Sequence, residues 1–112
     1  MVVLPNAKRL EIPREKVVDY LLSTTHSVGR FKAAFFTQLG FTSEKPLELI
    51  DALSRLAHAN DAIPAERNSF GQKYTVRGIV TGPEGQSAVL ETVWIVLNSE
   101  SHPRFVTAYP GS

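Results

Sequence analysis

Three side chains that can move protons or bind phosphate lie close together in the segment Thr24–Leu39. His26 can exchange a proton near neutral pH, and Arg30 and Lys32 can neutralise a phosphate or stabilise a developing oxyanion. This trio suits RNA cleavage, in which the 2′-hydroxyl attacks the adjacent phosphorus. One group then removes the 2′ proton, another protonates the leaving 5′ oxygen, and cations stabilise the transition state. An alternative for His26 is a structural role, bonding a backbone carbonyl to cap the loop.

Four residues of the C-terminal half could complete such a site from a sheet. Tyr74, Trp94 and Tyr109 offer rings for base stacking, and the two tyrosines also offer a hydroxyl donor. Thr107 shares a strand face with Tyr109 and could hydrogen-bond a phosphate. Trp94 also has the apolar strand neighbours that are typical of a core residue, and Thr107 and Tyr109 could serve only to close the sheet edge.

Other catalytic and metal chemistries lack their sequence patterns. The chain has no cysteine, which excludes disulfides and thiolate metal sites. It has no H-E-x-x-H, no Gly-rich phosphate loop and no G-x-S-x-G. His26, His58 and His102 are scattered, and no pair of carboxylates is spaced for ligation. We therefore expect no metal and no cofactor.

Length and composition predict one globular domain over residues 1–112. The chain is 43% hydrophobic, which is too apolar for disorder and sufficient for one core. Its N-terminus lacks the apolar run of a signal peptide, and no segment is long enough to span a bilayer. A cytoplasmic bacterial protein is the resulting expectation.

Charge is nearly balanced overall but unevenly distributed. The formal net charge is +1, so the chain lacks the strongly basic character usual in nucleic-acid-binding domains. Residues 1–40, however, carry six Lys or Arg against three Asp or Glu, whereas residues 41–66 carry two against five. This distribution allows a locally basic face, and an ordinary mixed surface explains it equally well.

Periodic apolar residues predict three helices in the first half of the chain. The first runs from Pro13 to Ser23, with Val17, Val18, Leu21 and Leu22 on its buried side. Ser27 is a plausible N-cap for the second, which we expect to end at Gly40 as its C′ residue. The third runs from about Pro46 to Ala59.

The period changes to that of β-strands in the second half. Strands are predicted at Lys73–Thr81, Ser87–Leu97 and Arg104–Tyr109, and the first two are joined by a hairpin turn at Gly82–Gly85. The fold class is therefore α+β: two to three N-terminal helices packed on a C-terminal antiparallel sheet of three to four strands.

The same residues resemble a family of small bacterial proteins of unknown function. Its members begin with an LPNA-type segment, continue through a DYLL helix and a histidine–glycine–lysine helix opening, and end in VTAYP. The matching segments here are LPNA at Leu4–Ala7, DYLL at Asp19–Leu22, H-x-x-G-x-x-K with FF at His26–Phe36, LGF at Leu39–Phe41, VW at Val93–Trp94 and VTAYP at Val106–Pro110.

A looser likeness suggests an activity. Helices followed by an antiparallel meander that ends in a VTAYP-type strand resemble the barnase–colicin–RelE class of metal-free ribonuclease toxins. That resemblance implies a toxin of a toxin–antitoxin pair with an RNA substrate and a cognate antitoxin protein as partners. It also implies catalytic roles for His26, Lys32, Thr107 and Tyr109. Arg30, Trp94 and Tyr74 are then expected to bind substrate.

Two other functions remain open at this stage. The chain could be an antitoxin or immunity-type module that binds a protein partner, with His26 and Lys32 holding the loop between the first two helices. It could also act on a nucleotide or another phosphorylated small molecule through the same cationic residues.

Overall fold

In the part of the chain that the structure describes, a short 3-10 helix (Ala7–Arg9) and three further helical regions precede a four-stranded antiparallel sheet, which confirms the α+β prediction. The computed structural model describes residues 1–23 and 30–111. The predicted N-cap Ser27 and the candidate His26 lie outside these residues. Helix α1 (Arg14–Lys16) continues without a break into a π-helical segment (Val17–Leu21), and together they occupy the predicted first helix. Helix α2 spans Arg30–Gln38 and helix α3 spans Pro46–Ala59.

Helix α2 ends in a Schellman motif, as the glycine predicted. Gly40 has a φ of 94°, a left-handed conformation that favours glycine. The Phe41 amide donates to the Phe36 carbonyl at 3.1 Å, and the Gly40 amide donates to the Thr37 carbonyl at 2.9 Å. Phe36 and Phe41 are both buried, so the chain reversal is also fixed by packing.

Helix α3 has the predicted bounds and packs one face on the sheet. Pro46 occupies its first turn, where the missing N–H costs nothing. Leu49, Leu53 and Leu56 are buried, whereas Leu47 is exposed. At the C-terminal end, the Asn60 side-chain amide donates to the Leu56 carbonyl at 2.9 Å.

The sheet has the strand order β1-β2-β3-β4, with every neighbouring pair antiparallel. The strands are β1 (Ala62–Arg67), β2 (Gly71–Thr81), β3 (Ser87–Leu97) and β4 (Arg104–Pro110). Strand β1 was not predicted, because five of its six residues are exposed and it contains a proline, so it shows no alternation. The predicted hairpin at Gly82–Gly85 joins β2 to β3, with Gly85 at a φ of 89°.

The sheet has one face packed in the core and one face left open. Val76 on β2, Leu90 and Trp94 on β3 and Phe105 on β4 belong to the core. Thr92, also buried there, accepts a hydrogen bond from Trp94 Nε1 at 2.8 Å and donates one to the Val76 carbonyl at 2.7 Å. This network satisfies the buried polar atoms, as burial requires. Over the described ranges, none of the helices has the length and apolarity needed to cross a bilayer.

The N-terminal segment runs beside β4, which is an edge strand. The Glu11 amide donates to the Pro103 carbonyl, and the Phe105 amide donates to the Glu11 carbonyl, both at 2.9 Å. Further along the strand, Lys16 Nζ donates to the Val106 carbonyl at 3.2 Å. These contacts cover part of an edge that would otherwise present unpaired backbone groups. They also bring the first helical region next to the second half of β4.

Candidate functional site

Three side chains from three separate elements meet beside β4. Lys32 of helix α2 places its Nζ 2.6 Å from Thr107 Oγ1 on β4 and 2.9 Å from the Tyr20 hydroxyl of the π-helical segment. The Tyr20 and Thr107 hydroxyls are 3.2 Å apart and complete a triangle. The residues are far apart in the chain, since 75 positions separate Lys32 from Thr107. Folding alone therefore assembles this cluster.

Aromatic rings flank the ammonium group. Lys32 Nζ lies 5.0 Å from the centroid of the Tyr20 ring and 5.9 Å from that of Tyr109. Both distances are within the range of a cation–π interaction. The Tyr109 side chain is also exposed, so this side of the site faces solvent.

A β-bulge shapes the strand that carries Thr107. The pairing between β3 and β4 shifts at Val93/Trp94, where Trp94 pairs with Phe105 and Val93 pairs with Thr107, so that Val106 is an extra residue. Bulges reorient side chains and are common beside functional sites. The carbonyl of this extra residue is the one that accepts the hydrogen bond from Lys16.

The charge of Lys32 has no acidic partner in the part of the chain that the structure describes. Among the residues that the structure describes, no Asp or Glu forms an ion pair with it. The undescribed segment 24–29, TTHSVG, contains no acidic residue either. Of the three N–H donors of the ammonium group, the two hydroxyl contacts use two. Within the described residues, the cluster therefore combines a positive charge that has no acidic partner with a third N–H donor that has no described acceptor, which suits an anionic ligand.

The same surroundings lower the pKa of Tyr20. Burial by itself would raise it, but the hydrogen bonds from Lys32 and Thr107 and the positive charges of Lys32 and Lys16 together outweigh that effect. The pKa of this phenol therefore lies below its usual value of 10.0. The site thus favours negative charge on the Tyr20 oxygen.

The structure brings together part of the predicted site. Lys32, Thr107 and Tyr109, which were selected from opposite ends of the chain, are neighbours. Arg30 is the first residue of helix α2, two positions before Lys32. His26 lies outside the described residues, so its position relative to Thr107 stays a prediction, as do the catalytic roles.

Two predicted stacking residues have core positions instead. Trp94 is fully buried and packs edge-to-face on Phe105, with the ring centroids 5.4 Å apart. A ring without solvent access cannot stack on a substrate base, so the predicted substrate-binding role of Trp94 is wrong. Tyr74 pairs with Trp94 across the β2–β3 ladder and packs against the core, on the face opposite to that of Thr107. It is therefore not part of this cluster.

Tyr20 of the cluster and the neighbouring Lys16 were not predicted from the sequence. Tyr20 belongs to the DYLL segment and is not among the residues predicted for the site. A signal was available, because a tyrosine beside a buried stripe needs a partner for its hydroxyl. Lys16 had no such signal, since its partner is a backbone carbonyl of a distant strand.

Comparison with solved structures gives a match to the whole fold. The chain is similar to one chain of a structure described as a contact-dependent growth inhibition toxin–immunity protein complex from Klebsiella pneumoniae 342. The TM-score is 0.70, and the alignment covers 89% of this chain and 98% of that chain at 18% sequence identity. At this identity the similarity establishes a shared fold. A search of curated protein sequences gives no match.

The sequence itself assigns the family. Residues 3–112 match one family over nearly the entire chain. Its description agrees with the expectation, drawn from the sequence resemblance, of a family without an assigned function. The chain belongs to the family described as "Domain of unknown function (DUF6883)".

Proposed function

We propose that this protein is a ribonuclease toxin that cleaves RNA by general acid–base chemistry and is neutralised by a partner protein. The observation that carries the proposal is the Lys32–Thr107 contact, at 2.6 Å, which joins a cation of the N-terminal half to a hydroxyl of the VTAYP strand. The cation has no acidic partner among the described residues, and the neighbouring Tyr109 ring is exposed. An RNA phosphate supplies the missing negative charge, and an unpaired base supplies a face for stacking.

In the proposed reaction, the 2′-oxygen attacks the adjacent phosphorus and the bond from phosphorus to the 5′ oxygen breaks. His26 exchanges the proton of one of these oxygens. Lys32, with Arg30, binds the phosphate and stabilises the charge that develops in the transition state. Thr107 donates a hydrogen bond to a phosphate oxygen, and Tyr109 stacks on a base or donates its hydroxyl. The products are a 2′,3′-cyclic phosphate and a 5′-hydroxyl.

The fold comparison supports a role in a pair made of a toxin and the protein that neutralises it. The matched structure is described as a complex of a growth inhibition toxin with an immunity protein. A helix-then-meander fold also agrees with the resemblance to the barnase–colicin–RelE class. By analogy, this chain would be one member of such a pair.

Purified protein incubated with structured and unstructured RNA tests the activity. We expect cleavage by the wild type and a loss on the order of 10²–10³-fold for Lys32→Ala, since one charge-stabilising donor typically contributes that much. His26→Ala should lose activity as well. Lys73→Ala is the matched control, because Lys73 lies on β2 and is paired with Glu66 at 3.6 Å. A folded Lys32→Ala protein with wild-type activity would contradict the site.

The second candidate is an immunity or antitoxin-type module without catalytic activity. The matched structure contains both a toxin and an immunity protein, and fold similarity alone fits either type of protein. Expression in a bacterial host separates the two. A toxin arrests growth, and Lys32→Ala relieves the arrest; an immunity protein is harmless and protects cells from a toxic neighbour. Harmless wild-type expression combined with inactivity on RNA would favour this second candidate.

A further inference from the structure

We infer that Tyr20 is a catalytic residue of the proposed reaction and donates the proton that the leaving 5′ oxygen receives. The inference rests on the proposed function and assigns a role that neither the motifs nor the family suggested. The Tyr20 hydroxyl is one corner of the triangle that it forms with Lys32 Nζ and Thr107 Oγ1.

The position of the Tyr20 hydroxyl favours proton donation to a bound phosphate ester. The Tyr20 hydroxyl lies 2.9 Å from Lys32 Nζ and 3.2 Å from Thr107 Oγ1. A phosphate bound by Lys32 and Thr107 would therefore lie within hydrogen-bond reach of this phenol as well. The side chain is half-buried, so its ring is held by packing while part of it remains accessible to solvent.

The direction of the hydrogen bond between Lys32 and Tyr20 also favours proton donation by the phenol. Lys32 has only donors, so the Tyr20 oxygen accepts from it and the phenol hydrogen is not used in that contact. A phenol that gives up its proton becomes a phenolate, and an ammonium 2.9 Å away stabilises that product. The lowered pKa of Tyr20 is consistent with this arrangement, since a lower pKa makes the phenol a stronger proton donor.

The backbone that carries Tyr20 departs from α-helical geometry. Tyr20 lies in the π-helical segment, where the Leu22 amide donates to the Val17 carbonyl five positions earlier, at 2.9 Å. Such segments are rare and often mark functional sites. Each π-type turn holds one more residue than an α-helical turn and so rotates the following side chains relative to the helix. Here Val17 and Leu21 remain in the core while Tyr20 reaches β4.

The other tyrosines fit the role less well. Tyr74 packs against the core on the opposite face of the sheet. Tyr109 contacts Lys32 through its ring, at 5.9 Å from the centroid, which suits stacking on a base. The proton balance is then complete: the 2′-hydroxyl gives its proton to the general base of the proposed reaction, and Tyr20 gives its proton to the 5′ oxygen as the phosphorus–oxygen bond breaks.

Substrates with different leaving groups test this role. A dinucleotide needs an acid to protonate its 5′ oxygen, whereas a nucleoside 3′-(4-nitrophenyl phosphate) releases nitrophenolate without one. We expect Tyr20→Phe to lower kcat on the dinucleotide by roughly 10²–10⁴-fold, the usual contribution of a general acid. The loss on the nitrophenyl ester should be much smaller. Lys32→Ala should impair both substrates.

The outcomes are distinguishable. A Tyr20→Phe protein that loses the same factor on both substrates, with an unchanged circular dichroism spectrum, overturns the inference but leaves the proposed function intact. A variant that cleaves the dinucleotide at the wild-type rate does the same. Wild-type protein without activity on either substrate overturns the proposed function and the inference together. Selective loss on the dinucleotide supports both.

Discussion

Two cationic clusters connect β4 to the N-terminal part of the chain, and they differ in what surrounds the cation. Near the start of the strand, Arg104 donates to both oxygens of Glu100 at 2.7 Å each and also bonds Glu11. Beside the second half, Lys32 contacts two hydroxyls and two aromatic rings. Arg104 is thus neutralised by two carboxylates, whereas Lys32 has no acidic partner among the described residues.

This difference separates a structural cation from one available to a ligand. The planar guanidinium of Arg104 fits the carboxylate geometry and fastens Glu11 and the β3–β4 turn together. Three of its five N–H donors bind these carboxylates, and a bound anion would meet the negative charge of two glutamates. Lys32 is positioned by neutral groups that orient its ammonium without neutralising it. The second cluster therefore has the electrostatics of an anion site, and the first has those of a fold contact.

The largest expected effect is on activity at the hydroxyl-surrounded cluster. Lys32→Ala should lower the rate of RNA cleavage by about 10²–10³-fold, because it removes a charge-stabilising donor. Arg104→Ala should leave the rate per folded molecule unchanged. Initial rates on one RNA substrate, normalised to folded protein by circular dichroism, compare the two. Equal losses in both variants would remove the distinction.

The next effect is on stability at the carboxylate-surrounded cluster. Arg104→Ala should lower the melting temperature more than Lys32→Ala does, because it removes the permanent positive charge between Glu11 and Glu100 and leaves them only the imidazole of His102, 3.9 Å from Glu11. The hydrogen bonds from Arg104 lower the pKa of Glu100, so this contribution is present at neutral pH and is lost as pH falls through the pKa that Glu100 has in the folded state. Thermal melts of wild type and Arg104→Ala at neutral and acidic pH measure this loss.

A melting-temperature difference that stays constant down to strongly acidic pH would contradict this account of Glu100. The side chains of this cluster are partly exposed, so we also expect salt to reduce the difference between wild type and variant.

A smaller effect is stabilisation by an anion. Inorganic phosphate or a nucleoside 3′-phosphate should raise the melting temperature of the wild type and of Arg104→Ala, but not that of Lys32→Ala. At about 100 times its dissociation constant, a ligand adds roughly 2.7 kcal/mol to the free energy of unfolding. Sodium chloride at equal ionic strength is the control. Equal stabilisation of Lys32→Ala would place the anion elsewhere.

The smallest effect is on the titration of Tyr20. Its pKa is lowered in the folded protein, so its ionisation stabilises the fold only at alkaline pH, and that contribution is lost as pH falls through the folded-state value. Following tyrosinate absorbance with pH, we expect one of the three tyrosines to ionise early. That early phase should be missing in Tyr20→Phe and shifted to higher pH in Lys32→Ala. A wild type whose tyrosines all titrate together near 10 would contradict the electrostatic account.

The local elements were largely predictable from the sequence. Helix α3 has the predicted bounds because Pro46 opens it and the leucines repeat at helical spacing. Gly40 ends α2 because a left-handed residue is required there. Strand β1 was missed because its residues are mostly exposed, and only pairing with β2 defines it. Trp94 was predicted to bind substrate because a sequence pattern does not show which face of a central strand the helices cover.

The sequence by itself determined the α+β class, most of the helices and strands, and the residue types that suit phosphate chemistry. Local periodicity and turn residues determine these features without reference to the rest of the chain. Only the tertiary structure decided that Lys32 meets Tyr20 and Thr107, because that contact depends on how the π-helical segment passes the edge of β4 and where the bulge at Val106 places the next residue. It also decided that Arg104 is neutralised by carboxylates and Lys32 by none among the described residues, since a cation's partners depend on packing rather than on sequence neighbours.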